Sequence, residues 1–195
     1  MQDILSIAAE RQKRAYKVLE KSGIESIWRS HGSEVNLVGS LKTGLLLNHL
    51  DIDLHIYTDP FVLRESFNAI AEIAADKHIK RVSYANLLEE DDECIEWHAW
   101  YLDDDGSEWQ IDMIHILRSS KYEGKFEKIA QRIESVLTDE TRLAILSIKS
   151  CIAPETKIPG ISIYKAVIRD GIRSYGDFIN WFAHNNSGGI DTWIP

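Results

Sequence analysis

The chain is 195 residues long, 44% hydrophobic and 27% charged, proportions that fit one globular domain with a small helical annex and exclude disorder, collagen and a coiled coil. No apolar run approaches the ~20 residues that a membrane-spanning helix needs, and the N-terminus lacks a basic region followed by an apolar stretch; Cys94 and Cys151 lie too far apart in sequence for a metal-binding pair. The expected setting is therefore soluble, reducing and cytoplasmic, and the net charge of -9, from 22 basic and 31 acidic residues, argues against a dedicated nucleic-acid binder.

From Ile4 to Lys21 the apolar residues Ile4, Leu5, Ala8, Ala15, Val18 and Leu19 recur at helical spacing, and Ser22-Gly23 ends the run. A short helix from Ile24 to Ser30 follows. Val35 to Val38 reads as a short strand entering Gly39-Ser40, and Ile52 to Tyr57 as a second, buried strand. Asp59-Pro60 predicts an N-cap and a first-turn proline for a helix reaching about Lys77. Arg81 to Leu87, Cys94 to Leu102 and Ser107 to Leu117 read as strands rich in β-branched and aromatic residues, with Asp103-Asp104-Asp105-Gly106 as a hairpin turn. The period then returns to helical over Tyr122 to Leu137, Asp139 to Ile152 with Thr138 as cap, Ile161 to Asp170, and Tyr175 to Ala183 with Ser174 as cap.

This order predicts an α+β fold: a small mixed β-sheet with helices on one face, followed by a C-terminal helical region. The division falls near residue 118, giving parts 1–117 and 118–195. Trp97, Trp100 and Trp109 fall in the hairpin strands, where aromatics form cross-strand pairs; the alternative is a stacking platform for an acceptor. Asn185 to Gly189 reads as a flexible turn, after which Trp193 staples the terminus down or meets a partner.

Charge is unevenly spread. Between Val82 and Leu117 stand eleven acids and no lysine or arginine, leaving 20 acids to face all 22 bases, a balance of +2 elsewhere. Most of these acids read as solvated turns, so the global charge does not exclude a polyphosphate substrate. Asp112 is different, because it is the only acid in the apolar run Ile111 to Ile116, where an unpaired carboxylate is costly. Asp51-Ile52-Asp53 carries the second unusual pattern. On a strand, residues i and i+2 share a face about 6.5 to 7 Å apart, and two carboxylates so placed repel unless a cation sits between them. Gly39-Ser40 can offer backbone N–H groups and a hydroxyl to a phosphate with no Cβ in the way.

A glycine-serine turn, ten residues, Asp-x-Asp on a strand and a single Asp on a later strand together resemble the nucleotidyltransferase superfamily related to DNA polymerase beta. The resemblance covers roughly residues 35 to 116. It implies that Gly39 and Ser40 hold a nucleoside triphosphate, that Asp51 and Asp53 bind two Mg²⁺ ions, with Mn²⁺ as a substitute, and that Asp112 binds the catalytic metal and activates the attacking hydroxyl. A second likeness, to the helical domain of polymerase-like members, rests on Leu146 to Ser150 and Ile158 to Tyr164. It implies that Lys149 meets the triphosphate and that Ser162 and Tyr164 cradle base and sugar, although Lys149 reads equally as a surface lysine and Tyr164 as core. Residues 118 to 173 carry eleven bases against seven acids, the sign a phosphate-facing wall needs.

The expected reaction is metal-dependent transfer of a nucleoside monophosphate from an NTP to an acceptor hydroxyl. The acidic segment flanking Asp112 favours a small molecule or a protein as acceptor over a long nucleic acid. Two alternatives stand beside it. His49, Asp51, Asp53 and His55 form an HxDxDxH row that would suit a transition metal and a phosphoesterase or other hydrolase, provided the strand begins as early as His49; otherwise His49 lies in the loop and His55 caps the strand. A nucleotide-binding module without turnover is the other, against which an idle carboxylate triad would repel itself.

Overall fold

The computed structural model describes residues 3–153, 156–185 and 190–195 of the chain; Asn186 to Gly189 of the expected flexible turn lie outside the described residues. The elements in chain order are α1 (Ile4–Ser22), α2 (Ile24–Ser30), β1 (Glu34–Val38), α3 (Gly39–Thr43), β2 (Asp51–Tyr57), α4 (Leu63–Ala74), β3 (Ile79–Leu87), β4 (Cys94–Leu102), β5 (Glu108–Ile116), α5 (Lys125–Val136), α6 (Asp139–Cys151), α7 (Gly160–Ile168) and α8 (Tyr175–Asn185). The five strands form one mixed sheet in the order β1-β2-β5-β4-β3, with β2 and β5 parallel at its centre and every other neighbour antiparallel. The fold is α+β, with the helical elements after β5 completing it.

One face of the sheet is apolar. Ile52, Leu54 and Ile56 of β2 and Ile111 and Met113 of β5 are fully buried there against Ala15 and Val18 of α1, Trp28 of α2, and Ala69 and Ile73 of α4. The C-terminal helices gather a second cluster around Ile145, Ile148, Ala166 and Phe178, which also takes in Ala8 of α1 and Leu45 and Leu47 from the loop before β2. Trp193 packs on this cluster and so staples the tail. Thr138 and Ser174 cap their helices as expected, through the N–H groups of Thr141 and Asp177. No helix among the described residues is long and apolar enough to cross a membrane.

Three local expectations change. Asp59-Pro60 does not open α4; Val62 is its N-cap and the helix ends at Ala74, because residues 60–62 stay irregular and extended while Phe61 packs edge-on against His115, 4.9 Å between ring centroids. The Gly39-Ser40 turn is itself the start of α3, which runs on to Thr43 and whose five residues are too few to show a period. In the β4–β5 hairpin only Gly106 takes a positive φ, +83°, and the three preceding acids are turned to structural use. Asp103 accepts from Arg14 at 2.8 Å and from the Trp109 indole at 3.0 Å, Asp105 pairs with Arg14 at 2.6 Å, and Asp104 pairs with Lys21, so the turn is clamped onto α1.

Candidate active site

Asp51 and Asp53 alternate with Ile52, Leu54 and Ile56 along β2, so burying the isoleucines and leucine delivers both carboxylates to the other face. Asp112 alternates likewise with Ile111 and Met113 on β5. The parallel register sets Asp53 opposite Asp112 and Asp51 opposite Gln110, and directly opposed residues point to one side. Three carboxylates thus share one face of two adjacent strands. His98 of β4, opposite Asp112, joins them.

Strand β1 runs antiparallel to β2 and ends at Val38, opposite Asp53, where the chain turns into α3 at Gly39 with φ of +66°. A Cβ at Gly39 would stand 1.9 Å from Asp53 Oδ2, so glycine is required both by the left-handed backbone and by the carboxylate packed against it. The Ser40 backbone N–H donates to Asp53. Ser40 Oγ accepts from Lys149 Nζ at 3.0 Å and lies 3.2 Å from the Tyr164 hydroxyl. Lys149 is therefore not a surface lysine: it is buried, and its ammonium also donates to the Leu45 carbonyl at 2.8 Å. Tyr164 is also buried, beneath Gly160. Ser162 lies on the first turn of α7, outside the cavity that Gly160, Ile161 and Tyr164 line. That cavity, about 310 Å³, reaches from Gly39, Ser40, Asp51 and Asp53 to an apolar end formed by Phe126, Ile129 and Ile133 of α5.

The electrostatics are those of crowded carboxylates. Burial pushes the Asp53 carboxyl well above its usual range, and Asp51 and Asp112 push it the same way, opposed by Lys149 and the Ser40 N–H. Asp51 is raised too, mainly by burial, with Lys149 and His49 opposing. Asp112 is tethered by one oxygen: its Oδ1 meets His98 Nδ1 at 2.6 Å and Gln110 Nε2 at 2.8 Å. The imidazole is raised in turn, chiefly by the hydrogen bond to Asp112. Among the described residues no three His, Cys, Asp or Glu side chains are drawn into a ready ligand set.

The HxDxDxH row is not assembled. His49 lies outside β2, and His55 sits within the strand and not at its end. His55 Nδ1 is 3.1 Å from Glu127 Oε1, which also accepts from the Tyr57 hydroxyl at 2.8 Å. Sequence reasoning missed Glu127 and His98. Glu127 carries no local signal, since it meets His55 across 72 residues. His98 becomes visible once β4 is laid against β5, where its parity matches that of Asp112.

Trp97 and Trp109 belong to the core, 2% and 0% exposed, which leaves half-buried Trp100 as the tryptophan of this trio on the carboxylate face. The acidic segment also divides. Glu89 to Glu93 lie at the far end of the strands, because Cys94 pairs with Ile116 whereas Asp51 pairs with Gln110, and Asp103 to Asp105 are clamped on α1. Glu96, Glu108 and Asp112 share the face of Asp51 and Asp53.

A comparison with curated proteins finds no match. Among solved structures the chain is similar to the poly(A) polymerase complex of GLD-2 with GLD-3, at 10% identity and a TM-score of 0.56, over 98% of this chain and 67% of that one. It is similar to Cid1, described for its RNA terminal uridylyl transferase activity, at 13% identity and a TM-score of 0.57, over 84% of this chain and 48% of that one. A mutant of the Cid1 poly(U) polymerase bound to MgATP matches at 14% identity and a TM-score of 0.52, over 84% of this chain and 56% of that one. The chain thus spans about half to two thirds of the length of these proteins, and the likeness is one of fold. The model of the nucleotidyltransferase domain matches residues 21–163, from the end of α1 through the sheet and the Lys149 helix into α7, and the chain belongs to that family.

Proposed function

We propose that the chain transfers a nucleoside monophosphate from an NTP to an acceptor hydroxyl in a Mg²⁺-dependent reaction. The observation that carries this reading is the placement of Asp51, Asp53 and Asp112 on one face of adjacent parallel strands, against a Gly39-Ser40 turn that only glycine can make. The donor set fits the metal: three hard oxygen donors whose crowding Lys149 and His98 offset only in part suit Mg²⁺ shared with substrate phosphates, and Mn²⁺ in its place. Bound there by Asp51, Asp53 and Asp112, two such ions would supply Lewis-acid stabilisation of the entering and leaving oxygens. A structurally similar mutant of the Cid1 polymerase is bound to MgATP, which supports nucleotide in the same role here.

The chain's own residues divide the remaining work. The Ser40 N–H and hydroxyl and the Lys149 ammonium, grouped at the start of α3, hold the triphosphate, and Tyr164 closes that corner. The apolar end at Phe126, Ile129 and Ile133 takes the base and sugar. The acceptor oxygen attacks the α-phosphorus as the bond to the bridging oxygen breaks, and pyrophosphate departs with that electron pair. Asp112 takes the hydroxyl proton on Oδ2, while His98 and Gln110 keep Oδ1 in place. Residues 118–195 form the helical part that closes over the nucleotide.

Thermal melting with ATP, with and without Mg²⁺, tests the reading. MgATP should raise the midpoint, ATP with a chelator should not, and Asp53→Asn should abolish the difference. Stabilisation by Zn²⁺ without nucleotide, lost in His49→Ala or His55→Ala, would replace transfer by the metallohydrolase alternative.

A further inference from the structure

The sheet has two edges, and they are unequal. β1 is five residues long, whereas β3 runs for nine, from Ile79 to Leu87, and pairs with β4 alone among the described strands. An edge strand of that length offers a row of unpaired N–H and C=O groups to another strand. A register shift between Ile79 and Arg81, together with the charges of Lys80 and Arg81, guards its start. From Val82 to Leu88 there is no charged residue. On the α4 side of that stretch Tyr84 and Phe67 are 41% and 44% exposed, their ring centroids 5.0 Å apart and 4.6 and 4.8 Å from that of buried Trp97.

Charge is placed so that the strand complements itself. Exposed Lys77, Lys80 and Arg81 precede the uncharged stretch, and exposed Glu89, Glu90 and Asp91 follow it. Within one chain they are little used. Asp91 reaches Lys121 at 3.9 Å, Arg81 lies over the Trp100 ring, and Lys80 donates to the Lys77 carbonyl at 2.6 Å; among the described residues Lys77, Glu89 and Glu90 have no ion-pair partner. A parallel copy in register would set like charges together. An antiparallel copy, turned about a two-fold axis at Ala85, reverses the order and sets Arg81 opposite Glu89 and Lys80 opposite Glu90 of the second copy. Ser83 then meets Leu87, Tyr84 meets Asn86, and the two Tyr84 rings become diagonal neighbours on the face that Phe67 extends.

We infer that this edge is the interface of a homodimer, in which β3 of each copy pairs antiparallel with β3 of the other across Ala85 and the two five-stranded sheets join into one. Main-chain hydrogen bonds supply the pairing, the aromatic rim supplies apolar area, and the charged flanks set the register. The occupant is a second copy because an antiparallel strand of the same sequence brings both charge signs in the required order, and with them the same Tyr84–Phe67 patch. The carboxylates lie on β2 and β5, separated from β3 by β4, so each copy keeps its own cavity. The interface does not depend on the nucleotidyl-transfer reading.

Sedimentation equilibrium of the full chain, from about 1 to about 200 µM, tests the assignment. The 22.3 kDa chain should pass to twice that mass, with a midpoint in the micromolar range. Lys80→Glu with Arg81→Glu sets acids against acids and should weaken association about tenfold or more. Adding Glu89→Lys and Glu90→Lys restores opposite signs and should recover the dimer, which it would not do if the first pair had merely damaged the fold. Ala85→Cys, in a Cys151→Ser background, should be joined between copies by a short bismaleimide, since the axis places position 85 against itself. A chain that is monomeric at every concentration would overturn the inference and leave the edge to an extended segment of another protein. A dimer that the charge reversal leaves intact, or one that the reagent fails to join, would overturn it as well.

Discussion

The two faces of the β2–β5 pair are built from interleaved residues and do opposite work. Ile52, Leu54, Ile56, Ile111 and Met113 are all 0% exposed and seal the sheet onto α1, α2 and α4. Asp51, Asp53 and Asp112, one residue away in every case, crowd three carboxylates on the reverse side, and burial together with their mutual repulsion raises Asp51 and Asp53. One face therefore stabilises the fold and the other costs it stability in the absence of a cation. Stability and the proposed chemistry are separated here by strand parity, over a distance of one residue.

Asp53→Asn sharpens this contrast most. Nucleotidyl transfer should fall by about a thousandfold, the several kcal/mol that such charge stabilisation supplies. The same change should raise the melting temperature in chelator above about pH 5. A carboxyl whose folded pKa is raised stabilises fully below its unfolded pKa and loses that contribution as pH rises, and asparagine cannot ionise. A lower melting temperature in Asp53→Asn would break the comparison.

On the other face, Ile111→Ala should cost about 2–5 kcal/mol in denaturant unfolding, with MgATP affinity per folded molecule little changed. Gly39→Ala joins the two faces' behaviours, because its Cβ would meet Asp53 Oδ2 in a left-handed backbone. It should reduce transfer by about a hundredfold and cost about 1–2 kcal/mol, from αL strain and the displaced carboxylate. A Gly39→Ala protein with full activity would remove the turn from the site.

An effect on stability alone belongs to His115, on the apolar face of β5. It is 1% exposed, 2.9 Å from Thr58 Oγ1 and 3.1 Å from Ser66 Oγ, and burial holds its pKa down to about 4 from an ordinary 6.5. The unfolded chain binds this proton first, so the stability contributed by the neutral ring is whole above pH 6.5 and drains as pH falls towards 4. Equilibrium unfolding across that window should show a loss of about 1–3 kcal/mol, reduced in His115→Gln. Metal-free stability thus declines from both ends, with His115 acting in acid and the carboxylate face as pH rises.

The sequence by itself determined the strands that carry the site and the side on which each acid projects, because burial of alternate residues enforces a period of two. Asp-x-Asp and the lone Asp112 were legible for that reason, as were the Thr138 and Ser174 caps, which are local hydrogen bonds. The roles proposed for Ser40 and Lys149 came through resemblance, and their 3.0 Å contact spans 109 residues. Local pattern carries no information on pairs so distant, and the same limit hid Glu127 behind His55. Only the tertiary structure decided which acids face the cleft. The hairpin acids Asp103 to Asp105 have the composition of a solvated turn, yet Arg14 and Lys21 of α1 hold them away from Asp51, while Glu108, a few residues on, stands beside it. Charge in a sequence is a count, and folding converts it into a direction.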